Sequence, residues 1–247
     1  MRVEQQWQEY RPADHLTWAT LYRRRMPELE RTASRVFLGG ARAIGLDPER
    51  IPRLDLMNHR LRRRTGWSAV PVGGFLPAEE FFASLARRRF PTTVTIRAPD
   101  SLEYTPAPDI FHDVFGHVPM HADPVFAAFL QRFGALAADP PEGVTTEQLA
   151  RLFWFTVEFG LVREGGAIRL YGSGLISSSA EAAHALGPDC EQRPFDLEEV
   201  LHQPFEIDRL QPVLYVVESF AWLFEAVRRL AGVTAGSPPP PFRTTAP

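Results

Sequence analysis

Apolar side chains recur at helical spacing along most of the chain, and Pro and Gly cut those stretches into short lengths. Leu16, Trp18, Leu21 and Tyr22 follow Asp14, a residue type favoured at helix N-termini. Pro27 falls inside that pattern and predicts a kink or a second start. Leu54, Met57 and Leu61 predict a helix that stops at Gly66, and Pro77 predicts the first turn of one carrying Phe81, Phe82 and Leu85. Phe126, Phe129, Leu130, Phe133 and Leu136 share one helical face. Leu149, Leu152, Phe153, Thr156 and Val157 share another, and a last helix runs from about Glu218 to Leu230.

Strand patterns are few: Thr92 to Arg97, Ala167 to Tyr171 and Val213 to Val217. No regular strand–helix alternation appears, which argues against a doubly wound sheet. The expected architecture is mainly α with a few short strands, one domain over residues 1–231. Residues 232–247 carry four consecutive prolines and predict a disordered, extended tail.

Composition removes several kinds of chemistry. The 27 basic residues are all arginine, so a lysine Schiff base and a P-loop lysine are excluded. A formal charge of −3 removes the usual case for a nucleic-acid partner. Cys190 is the one cysteine, which excludes an intrachain disulfide, a Cys-rich zinc site and an iron–sulfur cluster. The first residues lack the apolar core of a signal peptide, and Glu218 and Glu225 interrupt the best apolar stretch. A cytoplasmic protein without a membrane partner is expected.

One segment concentrates chemistry. Tyr104 to Pro124 holds His112, His117 and His121 beside Asp109, Asp113 and Asp123. Imidazole and carboxylate are ligands of borderline metals such as iron and zinc. His117 and His121 are four apart, but Pro119 lies between them and breaks a helix. His112 and His117 are five apart, about 140° around an ideal helix, and converge only if the backbone at Gly116 departs from it. Spacing alone leaves the pair open. Glu158 sits between Val157 and Phe159, and a carboxylate so flanked is costly to bury unless it is paired or bound to metal. Two histidines and one carboxylate form the facial triad of non-haem Fe(II) oxygenases, and the same set also holds catalytic zinc.

The stretches YTPAPDIFHDVFGHVP, FWFTVEFGL and YGSGLISS together resemble the signature of the pterin-dependent aromatic amino acid hydroxylases. GWSAVPVGGFLP and FPTTVTIR add to the likeness, which covers roughly residues 10–230. The short length and Trp154 are most similar to bacterial members that act on phenylalanine. The resemblance implies His112, His117 and Glu158 as catalytic iron ligands, leaving His121 aside. It implies that Arg97 binds the substrate carboxylate with Asp109 bracing it, and that Thr105 and Ser177 hold the amino acid backbone. Pro108, Trp154 and Phe159 are implied as walls of the ring pocket. Phe81 is implied to stack on the pterin, Gly74 and Leu76 to run along it, Asp113 to face it or its water network, and Phe153 to stand where a tyrosine is usual.

The activity so implied is conversion of L-phenylalanine to L-tyrosine with Fe(II), O₂ and a tetrahydropterin, tetrahydrobiopterin or a related one. The rivals are tryptophan or another ring position of phenylalanine, a zinc hydrolase on the same ligands, and a metal-bearing binding protein without turnover. Two residue patterns compete with these roles: Ser178-x-x-Glu181 reads as a capping box, and GSGLIS lacks the rest of a dinucleotide fingerprint. The implied regulatory domain and tetramerisation helix of animal members have no counterpart here, so a monomer is expected. The segment between Gly187 and Gln211 follows the family only loosely.

Overall fold

The computed structural model describes residues 3–102 and 107–232. A long first helix, α1 (Pro12–Thr32), is followed by α2 (Arg35–Ile44) and α3 (Leu54–Thr65). Asp14 starts α1 from its third position rather than as the N-cap: Arg11 is the N-cap, and its backbone N–H donates to Asp14 Oδ2 at 2.8 Å. Pro27 lies within α1, which runs on to Thr32 rather than restarting. The helix lays Trp18, Leu21, Arg25 and Leu29 on its buried face. That packing sustains it through the lost backbone bond.

After α3, which stops at Gly66 as predicted, come β1 (Ser68–Val72), α4 (Ala78–Ala86) and β2 (Arg89–Thr93). The strands β1 and β2 pair in parallel, with Ser68 opposite Arg89, so α4 is the crossover of a β–α–β unit. This differs from the sequence expectation: β1 was unmarked, Pro77 is the N-cap of α4, and only Thr92 and Thr93 of the predicted strand are in one. The remainder, Val94 to Arg97, is irregular and leads to the site.

Next come a π-helical turn (Phe111–His117), a 3₁₀ turn (Val118–Ala122), α5 (Pro124–Ala138), α6 (Thr146–Phe153) and a second π-helical turn (Trp154–Glu158). Asp123 caps α5 by accepting from Val125 N and Phe126 N. The chain ends with β3 (Leu161–Glu164), β4 (Ala167–Leu170), α7 (Ser173–Ser177), α8 (Ser179–Ala185), β5 (Glu191–Pro194), α9 (Leu197–His202), β6 (Val213–Val217) and α10 (Phe220–Leu230). The strands order as β4-β3-β6-β5: β3 and β4 form an antiparallel hairpin, and β6 is parallel to both β3 and β5. The predicted strands at Ala167 and Val213 are β4 and β6.

The core that supports the site is aromatic. Phe111 and Phe115 stack at 4.5 Å between ring centroids. Trp18, Tyr22 and Phe37 meet them edge-on. Each such pair contributes about 0.5–1.5 kcal/mol beyond the area it buries. Trp18 is fully buried, and its indole N–H donates to Asp47 O at 2.8 Å. Among the described residues no helix is long and apolar enough to cross a membrane.

Candidate active site

Residues five apart on an α-helix cannot share a side, yet His112 and His117 do. From Phe111 to His117 the backbone takes the wider π form, which bonds i to i+5. That winding turns Phe111 and Phe115 down into the aromatic core and sets the two imidazoles side by side. Their centroids are 5.0 Å apart with ring planes at 90°. Gly116 is needed for a reason its expected role as a distortion point did not include. Its φ is not positive; instead, a Cβ there would stand 3.0 Å from Ser173 O and 3.2 Å from Ser173 Cβ.

Glu158 closes the second π turn and faces both imidazoles. Its Oε1 lies 3.2 Å from His117 Nε2 and its Oε2 3.6 Å from His112 Nε2. Oε2 also accepts from Ser173 Oγ at 2.5 Å. Burial pushes this carboxyl up, but His117, His112 and the Ser173 hydroxyl outweigh it and bring it down to about 2. Gly172 lets Ser173 approach: a Cβ on Gly172 would sit 2.4 Å from Gly160 N and 2.5 Å from Glu158 O.

The tautomer of His112 follows from counting protons. Ser177 has one hydroxyl proton, which it gives to Ser173 O at 2.8 Å. Ser177 Oγ, 2.9 Å from His112 Nδ1, is therefore the acceptor, and Nδ1 carries the imidazole proton. The lone pair of Nε2 is then free on the side facing Glu158. Burial pushes His112 below the usual histidine range despite the pull of Glu158, which favours the neutral, ligating form. Two imidazole nitrogens and one anionic oxygen on one side suit a divalent borderline cation.

A second carboxylate is close: Asp113 offers an oxygen that lies, with one nitrogen each of His112 and His117, in a cluster 4.8 Å across. Asp113 Oδ2 already accepts from Thr93 N at 2.7 Å and Thr93 Oγ1 at 2.8 Å. Glu158, within 3.6 Å of both imidazoles, offers two further carboxylate oxygens on the same side. Burial pushes the Asp113 carboxyl above its ordinary value, against His112 and Thr93. Its bonds to Thr93 tie the π turn to the end of β2. His121 is fully buried on the 3₁₀ turn, stacked on Trp67 at 4.8 Å, and neither ring nitrogen has a hydrogen-bond partner among the described residues.

Arg97 and Asp109 form the other charged pair. Nε and Nη2 donate to Oδ2 and Oδ1, both at 2.8 Å, with the side chains 7% and 4% exposed. Asp109 Oδ1 also accepts from His112 N at 3.0 Å, so the brace of Arg97 and the start of the π turn share one carboxylate. Burial works against the ionised Asp109, but Arg97 and these N–H donors hold it below the usual carboxylate range. Arg97 Nη1 donates to Leu102 O at 3.2 Å, so three of its five N–H groups are committed among the described residues.

Trp154 and Phe159 meet at 4.6 Å across the second π turn, where Phe159 N donates to Trp154 O. Phe205 stacks on Trp154 at 4.6 Å, and the indole N–H of Trp154 is buried without an acceptor among the described residues. Pro108 is half-buried beside Asp109. Phe81 and Phe153 are half-buried and meet edge-to-face at 5.5 Å. Gly74 and Leu76 lie on the connection from β1 to α4. Thr105 and the tail from residue 233 lie outside the described residues. Ser178 is the N-cap of α8, accepting from Glu181 N, which separates its role from that of Ser177.

Sequence reasoning missed Ser173, Thr93 and Phe205. The signal for Ser173 was GSGLIS, whose glycines serve close approach to Glu158. Phe205 carried no signal, being a single aromatic in a segment without helical or strand period.

The chain matches the model of the biopterin-dependent aromatic amino acid hydroxylases over residues 5–234. It is 42% identical over 227 residues to the phenylalanine-4-hydroxylase of Ralstonia nicotianae, covering 92% of this chain and 72% of that protein. It is similar to phenylalanine hydroxylase of Chromobacterium violaceum solved with iron(III) and 7,8-dihydrobiopterin, with TM-score 0.88, 38% identity and coverage of 92% and 84%. The iron- and phenylalanine-bound structure of that enzyme gives TM-score 0.86 at 38% identity, covering 91% and 82%. The triad, its hydroxyl braces and these likenesses lead to one assignment: the chain belongs to the biopterin-dependent aromatic amino acid hydroxylase family.

Proposed function

We propose that this protein hydroxylates L-phenylalanine to L-tyrosine, with Fe(II), O₂ and a tetrahydropterin. The observation that carries the reading is the convergence of His112, His117 and Glu158 beside an apolar wall of Trp154 and Phe159. The phenylalanine-bound and pterin-bound relatives support the choice of substrate and cofactor.

Three donors on one side leave positions open for further ligands, and iron held there supplies the activation of O₂, with the pterin as reductant. The residues of the chain position and shield. Arg97, stiffened by Asp109, binds the amino acid carboxylate through its two remaining N–H groups. Thr105 and Ser177 hold the amino acid backbone, and the ring rests against Pro108, Trp154 and Phe159. Phe81 and Phe153 offer aromatic surface to the pterin, with Gly74 and Leu76 alongside and Asp113 facing its polar edge. Ser177 holds the His112 proton at Nδ1 throughout, so the ligand nitrogen stays unprotonated.

The test is anaerobic reconstitution with Fe(II), then product analysis on phenylalanine, tyrosine and tryptophan with tetrahydropterin. Tyrosine from phenylalanine, at one iron per chain, is the expected result. Hydroxytryptophan as main product would change the substrate. Zinc-dependent hydrolysis without pterin turnover would overturn the reading.

A further inference from the structure

Among the described residues Arg25 is the one arginine buried as a whole residue, 2% exposed on the apolar face that α1 also builds from Trp18, Leu21 and Leu29. An ionised group placed so is costly unless its donors are met. They are met far along the chain: Nε donates to Ile176 O and Nη2 to Leu175 O, each at 2.9 Å. Nη1 reaches Glu28 Oε2 at 2.5 Å and, more distantly, Ser179 Oγ at 3.5 Å. The two carbonyls belong to the last turn of α7, groups that a helix cannot satisfy by itself.

α7 has five residues, too short to hold its place through its own backbone bonds. Yet two of its side chains touch two of the three metal ligands: Ser173 bonds Glu158 Oε2, and Ser177 fixes His112 Nδ1. Against the segments of Gly116 and Phe159 α7 has no slack, since Gly116 and Gly174 admit no Cβ without crowding Ser173 O or the Phe159 ring.

We propose that Arg25 is a positioning residue of the metal centre: by clamping the Leu175 and Ile176 carbonyls it sets α7 at the depth where Ser173 and Ser177 aim Glu158 and His112. The inference rests on the reading of His112, His117 and Glu158 as the ligands. A planar fork suits this task because it presents its donors to the two carbonyls in one fixed geometry, whereas an ammonium group is a point charge on a flexible stem.

The test is titration of the apoprotein with Co(II), following its visible absorption, in wild type, Arg25→Lys, Arg25→Met, Ser177→Ala and the Arg25→Met/Ser177→Ala double variant. Circular dichroism establishes that each is folded at the titration temperature. Arg25→Met should weaken Co(II) binding about tenfold and shift the absorption bands, with Arg25→Lys between it and wild type. The double variant should lose less than the product of the single effects, because both act through α7. If Arg25→Met does not fold, Arg25→Lys carries the test, with about threefold weaker binding expected. Binding and bands equal to wild type in a folded Arg25 variant, even one that melts earlier, would reduce Arg25 to packing and overturn the inference. Wild-type protein that takes up no Co(II) would instead overturn the ligand reading on which it rests.

Discussion

Phe111–His117 and Trp154–Glu158 are both π-helical, and each brings together side chains five apart, but of opposite character. The first pairs two imidazoles; the flanks of the second pair an indole with a phenyl ring. Around the imidazoles the contacts are directional: Ser177 on His112, Glu158 on both, Ser173 on Glu158. Around the indole they are not. Trp154 lies between Phe159 and Phe205, and its N–H goes unused among the described residues. A directional network fails when one member is lost, whereas an apolar contact degrades by the area removed. The two turns should therefore answer substitution on different scales.

The largest effect should come from Glu158→Ala. Loss of a partner to a ligand costs about 10- to 100-fold in metal affinity, and loss of the ligand itself should exceed that. Metal content after gel filtration checks it; stoichiometric iron would remove Glu158 from the centre. Next is Arg97→Ala, which should raise the Michaelis constant for phenylalanine by roughly 30- to 150-fold, about 2–3 kcal/mol, with pterin affinity little changed.

On the apolar side, Trp154→Phe should shift the ratio of specificity constants towards tryptophan by no more than about tenfold, since apolar pockets discriminate weakly. A shift of a thousandfold would show that the two turns do not differ as argued. The acid limb of stability tests the carboxylate that the first turn shares with Arg97. Because Asp109 is depressed in the folded state, its contribution is present above the unfolded carboxylate range, near pH 4, and is lost as pH falls through the depressed value. Urea midpoints should fall less steeply below pH 4 in Asp109→Asn than in wild type. The smallest expected effect is that of His121→Ala on metal affinity, within about twofold of wild type, because His121 makes no contact with Glu158 among the described residues and lies in the aromatic packing of Trp67 and Phe90. Calorimetric metal titration decides it.

Much of this was legible in the chain itself. The apolar period gave α3, α5 and α10, alternation gave β4, and the run Val213 to Val217 gave β6. His112, His117 and Glu158 were visible as candidate ligands, but only the resemblance and not the spacing joined them as a set, because periodicity assumes 3.6 residues per turn and a π turn violates it locally. α2 and α7 were missed for different reasons. In α2, Gly39 and Gly40 weaken the helical pattern, and Gly40 is there because Pro119 O would stand 1.9 Å from a Cβ. α7 is too short to show a period. The parallel partner of β2 was hidden because SAVPV contains Pro71, which a strand accepts here in a sheet of only two strands.

The guanidinium of Arg97 gives its Nε–Nη2 edge to Asp109 and one further N–H to Leu102 O. Among the described residues this leaves one N–H on each terminal nitrogen uncommitted, which suits a planar group with two acceptor oxygens. An amide would set its own NH₂ against one of those donors, and an amine without the carboxyl would strand both, at about 1–3 kcal/mol for each buried group left unpaired. On the proposed role of Arg97, such a site should exclude phenylalaninamide and phenethylamine by polarity where size would admit them. The same rule extends to phenylalanine inside a polypeptide, where the carboxyl is tied up in a peptide bond. On that proposed role of Arg97, the free amino acid is the substrate, and phenyl rings exposed along other protein chains are not.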